Sequence, residues 1–251
     1  MLFVKTEDLK AGMRLAKPIY NKNGVMLYDR NSKITSQGII SVNNFGLIGI
    51  YILEPAEPVP PMSEDDIEFE RFQAMSVFTI REILDAYSKN QKEKDMYQFI
   101  NQLLKKYGSL HHKINFIQNL RSNEDYIYKH SLNTAILCAL ISSRLGLEFK
   151  SQLDIVAAAL LHDVGGLMIP GNIRRKRKAD ITEDDEKKIS QCYQNSYIAF
   201  KDNTDLSPDI KRILSASIAV LHPDIPAASA KMPTVIGAEI LKVAYNFDNM
   251  T

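Results

Sequence analysis

The sequence contains no tryptophan, only two cysteines, and no apolar run that approaches the roughly 20 residues needed to cross a bilayer. Cys138 and Cys192 form no CxxC pair, so neither a disulfide framework nor a cysteine-rich zinc knuckle is indicated. The beginning, "MLFVKTEDLK", lacks the basic start and long apolar core of a signal peptide. We therefore expect a cytoplasmic protein without a membrane segment, in which both cysteines are free thiols.

The chain also lacks an excess of charge of either sign. Its 31 basic and 30 acidic residues nearly cancel, so no global field favours a nucleic acid or an anionic membrane surface as a partner. Gly-rich phosphate loops, the GxSxG elbow and the HExxH zinc motif are absent. With 45% hydrophobic residues and few glycines and prolines, the 251 residues predict an ordered chain of one or two domains.

Residues 1–54 are predicted to form a small β-rich module. Asn23 and Gly24 lie between two apolar segments, as in a tight hairpin turn. Thr35 is a predicted N-cap and Gly46 a predicted stop for a short helix, and "LIGIYIL" has the β-branched character of a strand.

Residues 55–66 carry four prolines, which deny backbone donors and favour a stiff, extended linker. Apolar residues then recur at helical spacing, which predicts connecting helices over 67–120 and a helical domain over 121–251. Thr182 and Ser207 are predicted helix starts. The predicted fold class is α+β, a β-rich module followed by an all-α bundle.

The stretch "LLHDVGGLMIP" places His162 and Asp163 at the end of a strongly apolar segment. A carboxylate at a helix C-terminus is repelled by the exposed carbonyls, so a positive group should face it. On one continuous helix the two side chains would lie about 100° apart, close enough to reach one cation. A capped helix end with a hydrogen-bonded histidine is the alternative.

The longer pattern resembles the HD-GYP family, a branch of the HD phosphohydrolase superfamily. The likeness covers about residues 125–251 through "DYIYKHSLN", "LLHDVGGLMIP", "ITEDDEKKI" and "AEILKVAYNFDNMT", in the family's order and spacing. Residues 1–54 are also similar to a module that often precedes this domain. The resemblance implies a helical HD-type bundle and a role in signalling by the bacterial second messenger cyclic di-GMP, which active members hydrolyse with two or three divalent ions.

Several positions depart from the family pattern. His130, His162 and Asp163 match its first histidine and its histidine–aspartate pair. A lysine is replaced by Gly166, a histidine by Cys192, and a metal-binding aspartate by Tyr245. Paired histidines and a glutamate fall on Ala216, Ser217 and Ile218, and the GYP tripeptide falls on Asp224, Ile225 and Pro226.

Three remaining ligands cannot hold two hard cations that each want about six donors. We therefore expect no binuclear centre, and no cofactor is required by the pattern. One hypothesis keeps a single divalent ion, iron, manganese or zinc, on His130, His162 and Asp163, with Cys192 as an added thiolate. The favoured alternative makes these residues a buried hydrogen-bonded group, with the Tyr245 ring filling the space left by lost ligands.

A basic loop could meet an anionic ligand. We define it as five consecutive residues, Arg174, Arg175, Lys176, Arg177 and Lys178. It could attract a phosphate-bearing nucleotide or an acidic protein, although the acidic "EDDE" just downstream favours a solvated, balanced loop.

The favoured functional hypothesis is a catalytically inactive HD-GYP-like signalling protein that acts by binding a protein or a nucleotide. A divergent metal-dependent phosphodiesterase and a non-catalytic cyclic dinucleotide receptor are the alternatives. Pairing with a second copy of the chain is a further hypothesis.

Overall fold

The computed structural model describes residues 1–89, 91, 96–109, 125–221 and 234–250. The chain divides into two compact units. Within the described residues, the first unit covers 1–78 with 125–126, and the second covers the remainder. The predicted GYP positions Asp224, Ile225 and Pro226 lie outside the described residues.

The first unit carries two small antiparallel sheets and one complete helix. Its elements are β1 (Leu2–Lys5), β2 (Arg14–Leu15), β3 (Ile19–Tyr20), β4 (Met26–Tyr28), α1 (Ser36–Asn44) and β5 (Gly49–Leu53). Strand β5 lies between β1 and β2, with Leu2 opposite Ile52 and Leu15 opposite Ile52 on the other side. The inward residues of this sheet and of α1 form one apolar core, which includes Val4, Leu15, Ile34, Val42 and Ile50.

Strands β3 and β4 form the predicted hairpin around Gly24. Gly24 has a φ of 73°, a left-handed conformation that costs glycine little, and its N–H donates to the Asn21 carbonyl. The Asn21 side chain also accepts from the N–H groups of Asn23 and Val25. The predicted helix start at Thr35 is confirmed as well, because its hydroxyl accepts from Gly38 N.

Helix α2 (Glu64–Ser88) begins two residues before the predicted end of the linker at residue 66. The Ser63 hydroxyl accepts from Asp66 N at 3.1 Å, and the Asp66 carboxylate accepts from Ser63 N at 2.9 Å. This reciprocal N-cap starts the helix early. The proline-rich segment belongs to the first unit and contacts its β-rich part, since Arg30 donates to the Pro60 carbonyl at 2.7 Å.

Within the described residues, the second unit is helical, as expected for the predicted bundle. Its complete helices are α3 (Met96–Tyr107), α4 (Tyr126–Arg144), α5 (Phe149–Leu161), α6 (Val164–Met168), α7 (Gly171–Arg174), α8 (Glu183–Asp202), α9 (Pro208–Leu221) and α10 (Ile236–Met250). Helix α5 is buried from Asp154 to Leu161, and α3, α9 and α10 pack against it. None of the helices in the described part of the chain is long and apolar enough to span a bilayer.

Two predicted helix starts in this unit are confirmed. Thr182 caps α8 by accepting from Asp185 N, while the Asp185 carboxylate accepts from Thr182 N. The Ser207 hydroxyl accepts from Ile210 N and donates to the buried Asp154 carboxylate at 2.8 Å. The second cap therefore also ties the start of α9 to α5.

The Asp185 carboxylate should make folding stability depend on pH. Contacts with Lys176 and with Thr182 hold its pKa well below the ordinary value of 3.8. The ionised carboxylate therefore contributes its full stabilisation at pH values above the ordinary pKa of the unfolded chain. This stabilisation is lost as the pH falls through the lowered pKa of the folded state. We predict that Asp185→Asn lowers the midpoint of urea unfolding at pH 7 and that the loss shrinks at pH 2.5.

The neighbouring Asp184→Asn is the matched control, because Asp184 is exposed and its Lys187 partner is 3.7 Å away. Its midpoint should stay close to that of the wild type at both pH values. Equal losses in the two variants would contradict the predicted role of Asp185.

Candidate functional site

The second unit brings two buried histidines together. His130 lies on α4 with no exposed surface, and its Nδ1 atom is 2.6 Å from Asp248 Oδ2 on α10. The other Asp248 oxygen accepts from Asn133 Nδ2 at 2.9 Å. Because Asp248 is 1% exposed, these two contacts replace the water that a buried carboxylate would otherwise need. They also fix the His130 ring against α10.

His162 follows the last residue of α5 and is 4% exposed. Its Nδ1 atom donates to the Ala159 carbonyl at 2.7 Å, one of the carbonyls left without a helical partner at the end of α5. Its Nε2 atom lies 3.2 Å from His130 Nε2. We call these two residues the histidine pair.

The hydrogen bonds of the histidine pair fix its proton count. The Ala159 carbonyl can only accept, so Nδ1 of His162 carries hydrogen, and a carboxylate oxygen of Asp248 is the natural acceptor for Nδ1 of His130. In neutral rings, both Nε2 atoms then have lone pairs that face each other. The 3.2 Å contact is a hydrogen bond only when one of them carries an added proton. Either one shared proton or one cation can therefore bridge the pair.

The Tyr245 ring packs against both members of the histidine pair. Its centroid is 5.0 Å from that of His130 and 5.6 Å from that of His162, with interplanar angles of 78° and 89°. Edge-to-face contacts of this kind are favourable between aromatic rings. Burial raises the Tyr245 pKa and the negative Asp163 raises it further, so the phenol stays neutral. Tyr245 thus covers the pair with an uncharged ring.

The side chain of Asp163 has a different environment from the histidine pair. The expectation of a 100° separation assumed one continuous helix, but α5 ends at Leu161 and α6 begins at Val164. The Asp163 carboxylate accepts a hydrogen bond from the Tyr193 hydroxyl of α8. The negative charge of this buried carboxylate also raises the pKa of Tyr245.

Gly166 fits closely beside this carboxylate. A Cβ atom at position 166 would lie 3.1 Å from Ile127 Cδ1 and 3.2 Å from Asp163 Oδ1. A larger side chain at this position would need its neighbours to shift. The packing around Gly166 is therefore tighter than a longer side chain at this position would allow.

The described hydrogen bond of Cys192 is made with α6 and not with the histidine pair. Its Sγ atom is 3.4 Å from the Met168 carbonyl of α6, and the residue is partly buried. Burial raises the pKa of the thiol, which disfavours the thiolate that zinc requires. Among the described residues, no contact joins it to His130, His162 or Asp163.

The α9 positions onto which the HD-GYP resemblance would place paired histidines and a glutamate belong to the interior. Ala216, Ser217 and Ile218 are 6%, 1% and 7% exposed. The Ser217 hydroxyl donates to the Ile213 carbonyl of its own helix, and Ile218 packs against Tyr193. These side chains offer no strong metal donor.

Two residues of the basic loop pair with nearby acids. Lys176 pairs with Asp185 at 2.5 Å and Arg177 pairs with Asp180 at 2.7 Å. Arg174 and Arg175 are exposed, and the Arg174 charge acts on the Tyr128 hydroxyl by lowering its otherwise raised pKa. The side chain of Lys178 lies outside the described atoms.

Sequence reasoning missed two residues of this site, Asp248 and Tyr193. Both occur on apolar helix faces: Asp248 follows Leu241 and Ala244 at helical spacing, and Tyr193 precedes Phe200 by two turns. A carboxylate on a core face requires a partner, so the position of Asp248 was a readable signal. The identity of its partner, His130, could not be read from the sequence, because the two residues are 118 positions apart.

A metal ion would find only part of a ligand set here. Two imidazoles on one tetrahedral zinc lie about 3.4 Å apart, which the histidine pair nearly matches, and each Nδ1 has the acceptor that usually orients a ligand. However, the described residues contain no group of three or more histidines, cysteines, aspartates or glutamates arranged to hold an ion. The described donors therefore do not fit a complete metal centre.

Comparisons with known proteins agree with the helical architecture. Residues 127–250 match the HD domain family. A curated relative is the cyclic di-GMP phosphodiesterase PdeB of Borreliella burgdorferi, 29% identical over 133 residues, which are 47% of this chain and 35% of the relative. The match thus spans about a third of that protein. No solved structure gives a significant match. These findings support the assignment of residues 127–250 to the HD superfamily.

Proposed function

We propose that this chain is a degenerate HD-GYP-type signalling protein that acts by binding and does not hydrolyse a phosphoester. The carrying observation is the packing of Tyr245 against both His130 and His162. Hydrolysis of the HD type needs metal ions that polarise a phosphate and lower the pKa of an attacking water. The ring lies where the family resemblance places a metal-binding aspartate.

The surroundings of the pair support the same proposal. The Tyr193 hydroxyl already engages the Asp163 carboxylate within the protein. The α9 positions that would serve a second ion are buried and carry no strong donor. The residues that remain from a catalytic centre thus hold α4, α5, α8 and α10 together.

Binding would need an exposed surface, and α10 has one. Four large apolar side chains lie along one face of this helix, Ile236, Val243, Phe247 and Met250, and their exposed fractions are 58%, 58%, 45% and 79%. An apolar stripe of this kind is typical of a protein contact. We propose that it meets a protein partner in a signalling pathway, and a second copy of the chain is one such partner.

A divergent metal-dependent phosphodiesterase is the second candidate. The separation of 3.2 Å between the two Nε2 atoms favours it, because two ligands of one ion would stand similarly apart. A single ion on His130, His162 and Asp163 would act as a Lewis acid. The histidine pair would hold that ion, while Asp248 would keep the His130 ring oriented.

Metal content separates the two candidates. We predict that protein purified with manganese, iron and zinc present contains less than about a tenth of an equivalent of each. We further predict that Tyr245→Asp, which removes the covering ring and adds a carboxylate beside the pair, approaches one equivalent. Elemental analysis after gel filtration measures both.

Tyr245→Asn is the matched control, because it opens the same space without adding a charge, and its metal content should stay low. Circular dichroism should show that all three proteins are folded. One equivalent of metal in the wild type that is lost in His162→Ala would contradict the proposal. Equal metal contents in the Asp and Asn variants would contradict the role assigned to Tyr245.

The buried network should matter for folding. We predict that Asp248→Asn lowers the free energy of unfolding by roughly 2–3 kcal/mol, because it removes a charged acceptor from the buried His130. Asp209→Asn breaks only an exposed pair with Arg212 and should change the free energy of unfolding by less than about 0.5 kcal/mol. Urea titration at pH 7 measures both, and equal losses would argue against the network.

A cyclic dinucleotide receptor is a further alternative, supported by two exposed arginines in the basic loop and by the similarity to a cyclic di-GMP phosphodiesterase. If cyclic di-GMP binds there, calorimetry should give saturable heat that weakens with salt. Arg174→Ala with Arg175→Ala should abolish it, whereas Lys187→Ala with Lys188→Ala should not. Absence of heat at several ionic strengths would exclude this alternative.

A further inference from the structure

A cavity of about 550 Å³ lies in the first unit, between the β3–β4 hairpin and the first turns of α2. This volume is within the range of small-molecule sites. It is separate from the histidine pair, which belongs to the second unit. The side chains used below are Tyr20, Met26, Asp29, Glu64, Ile67 and Arg71.

Tyr20 is the buried polar group of this cavity. The residue is only 5% exposed, and no other described residue hydrogen-bonds to its hydroxyl. Burial raises its pKa, Arg71 lowers it, and Asp29 raises it, so the hydroxyl remains a donor at neutral pH. The hydroxyl is not among the buried polar atoms that lack a partner, so it is open to the solvent of the cavity, where the acceptor of a ligand can replace water.

Arg71 brings a positive charge to the same cavity. Its guanidinium lies against the backbone of Gly24, where a Cβ atom would be 2.9 Å from Nε. No ion pair joins this guanidinium to another residue in the described ranges. Together, the Arg71 guanidinium and the Tyr20 hydroxyl offer several donors to an anionic or carbonyl acceptor.

The rest of the lining is mixed: Arg30 adds a second guanidinium, which donates to the Pro60 carbonyl, and the other charged residues are acidic. Asp29 and Glu64 contribute carboxylates, which can accept from a cationic or N–H group. Met26 on the hairpin and Ile67 on α2 are 51% and 38% exposed, so apolar surface borders the cavity from both elements. A ligand that matches this lining carries an acceptor, a donor and an apolar body.

We propose that this cavity binds a small zwitterion of the α-amino acid type with an apolar side chain. Its carboxylate contacts Arg71 and Tyr20, its ammonium group contacts Asp29 and Glu64, and its side chain lies between Met26 and Ile67. Binding in this cavity does not depend on whether the histidine pair is catalytic.

The test uses the full chain and three probes, L-leucine, L-methionine and L-phenylalanine, in isothermal titration calorimetry. We expect saturable binding of at least one probe and none of its N-acetyl or amide derivative. Tyr20→Phe should weaken this binding about 3- to 10-fold through the loss of one hydrogen bond. Arg71→Met should weaken it more than about tenfold through the loss of a charged donor.

Tyr28→Phe is the matched control, because the Tyr28 hydroxyl contacts Thr35 rather than the cavity. Its affinity should equal that of the wild type, and thermal melts should show that every variant is folded. Lack of saturation for all three probes up to about 10 mM, weaker than millimolar affinity, would overturn the proposal. Unchanged affinity in folded Arg71→Met, or binding of the blocked derivatives equal to that of the free probe, would also overturn it.

Discussion

The buried carboxylate of Asp248 is the constraint on which the helical unit depends. A charge with 1% exposure must find its partners inside the protein, and here these are His130 and Asn133, one turn apart on α4. This requirement fixes α10 against α4 and sets the orientation of the His130 ring. The ring in turn places Nε2 opposite that of His162, so one buried charge organises the whole histidine pair.

The same geometry connects structure and function. In a metal site, acceptors on Nδ1 orient imidazoles toward an ion, and the two acceptors here would serve that purpose equally well. The other groups around the histidine pair differ from those of a metal site. Tyr245 contributes an aromatic ring, and Tyr193 engages the nearby Asp163 carboxylate. A scaffold suited to hold metal can thus persist as a structural network after its chemistry is lost. For this chain, such a loss of chemistry is part of the proposal of an inactive signalling protein.

The features predicted well from the sequence depend on neighbours in the chain. Thr35, Thr182 and Ser207 cap their helices because capping needs only residues three positions away. The cap at Ser63 follows the same rule, but the prolines just before it suggested an extended linker. The pairing of His130 with Asp248 could not be predicted, because it depends on how α4 and α10 pack. The break between α5 and α6 could not be predicted either. Because of it, the 100° angle between His162 and Asp163 that a continuous helix would give does not apply.

The most direct test of an inactive site is a crystal structure of the protein grown with zinc or manganese, with diffraction data collected on both sides of the metal absorption edge. The proposal predicts no anomalous peak within bonding distance of His130 and His162, and an intact hydrogen bond between their Nε2 atoms. A strong peak about 2.0–2.1 Å from both Nε2 atoms, with Tyr245 displaced, would contradict it.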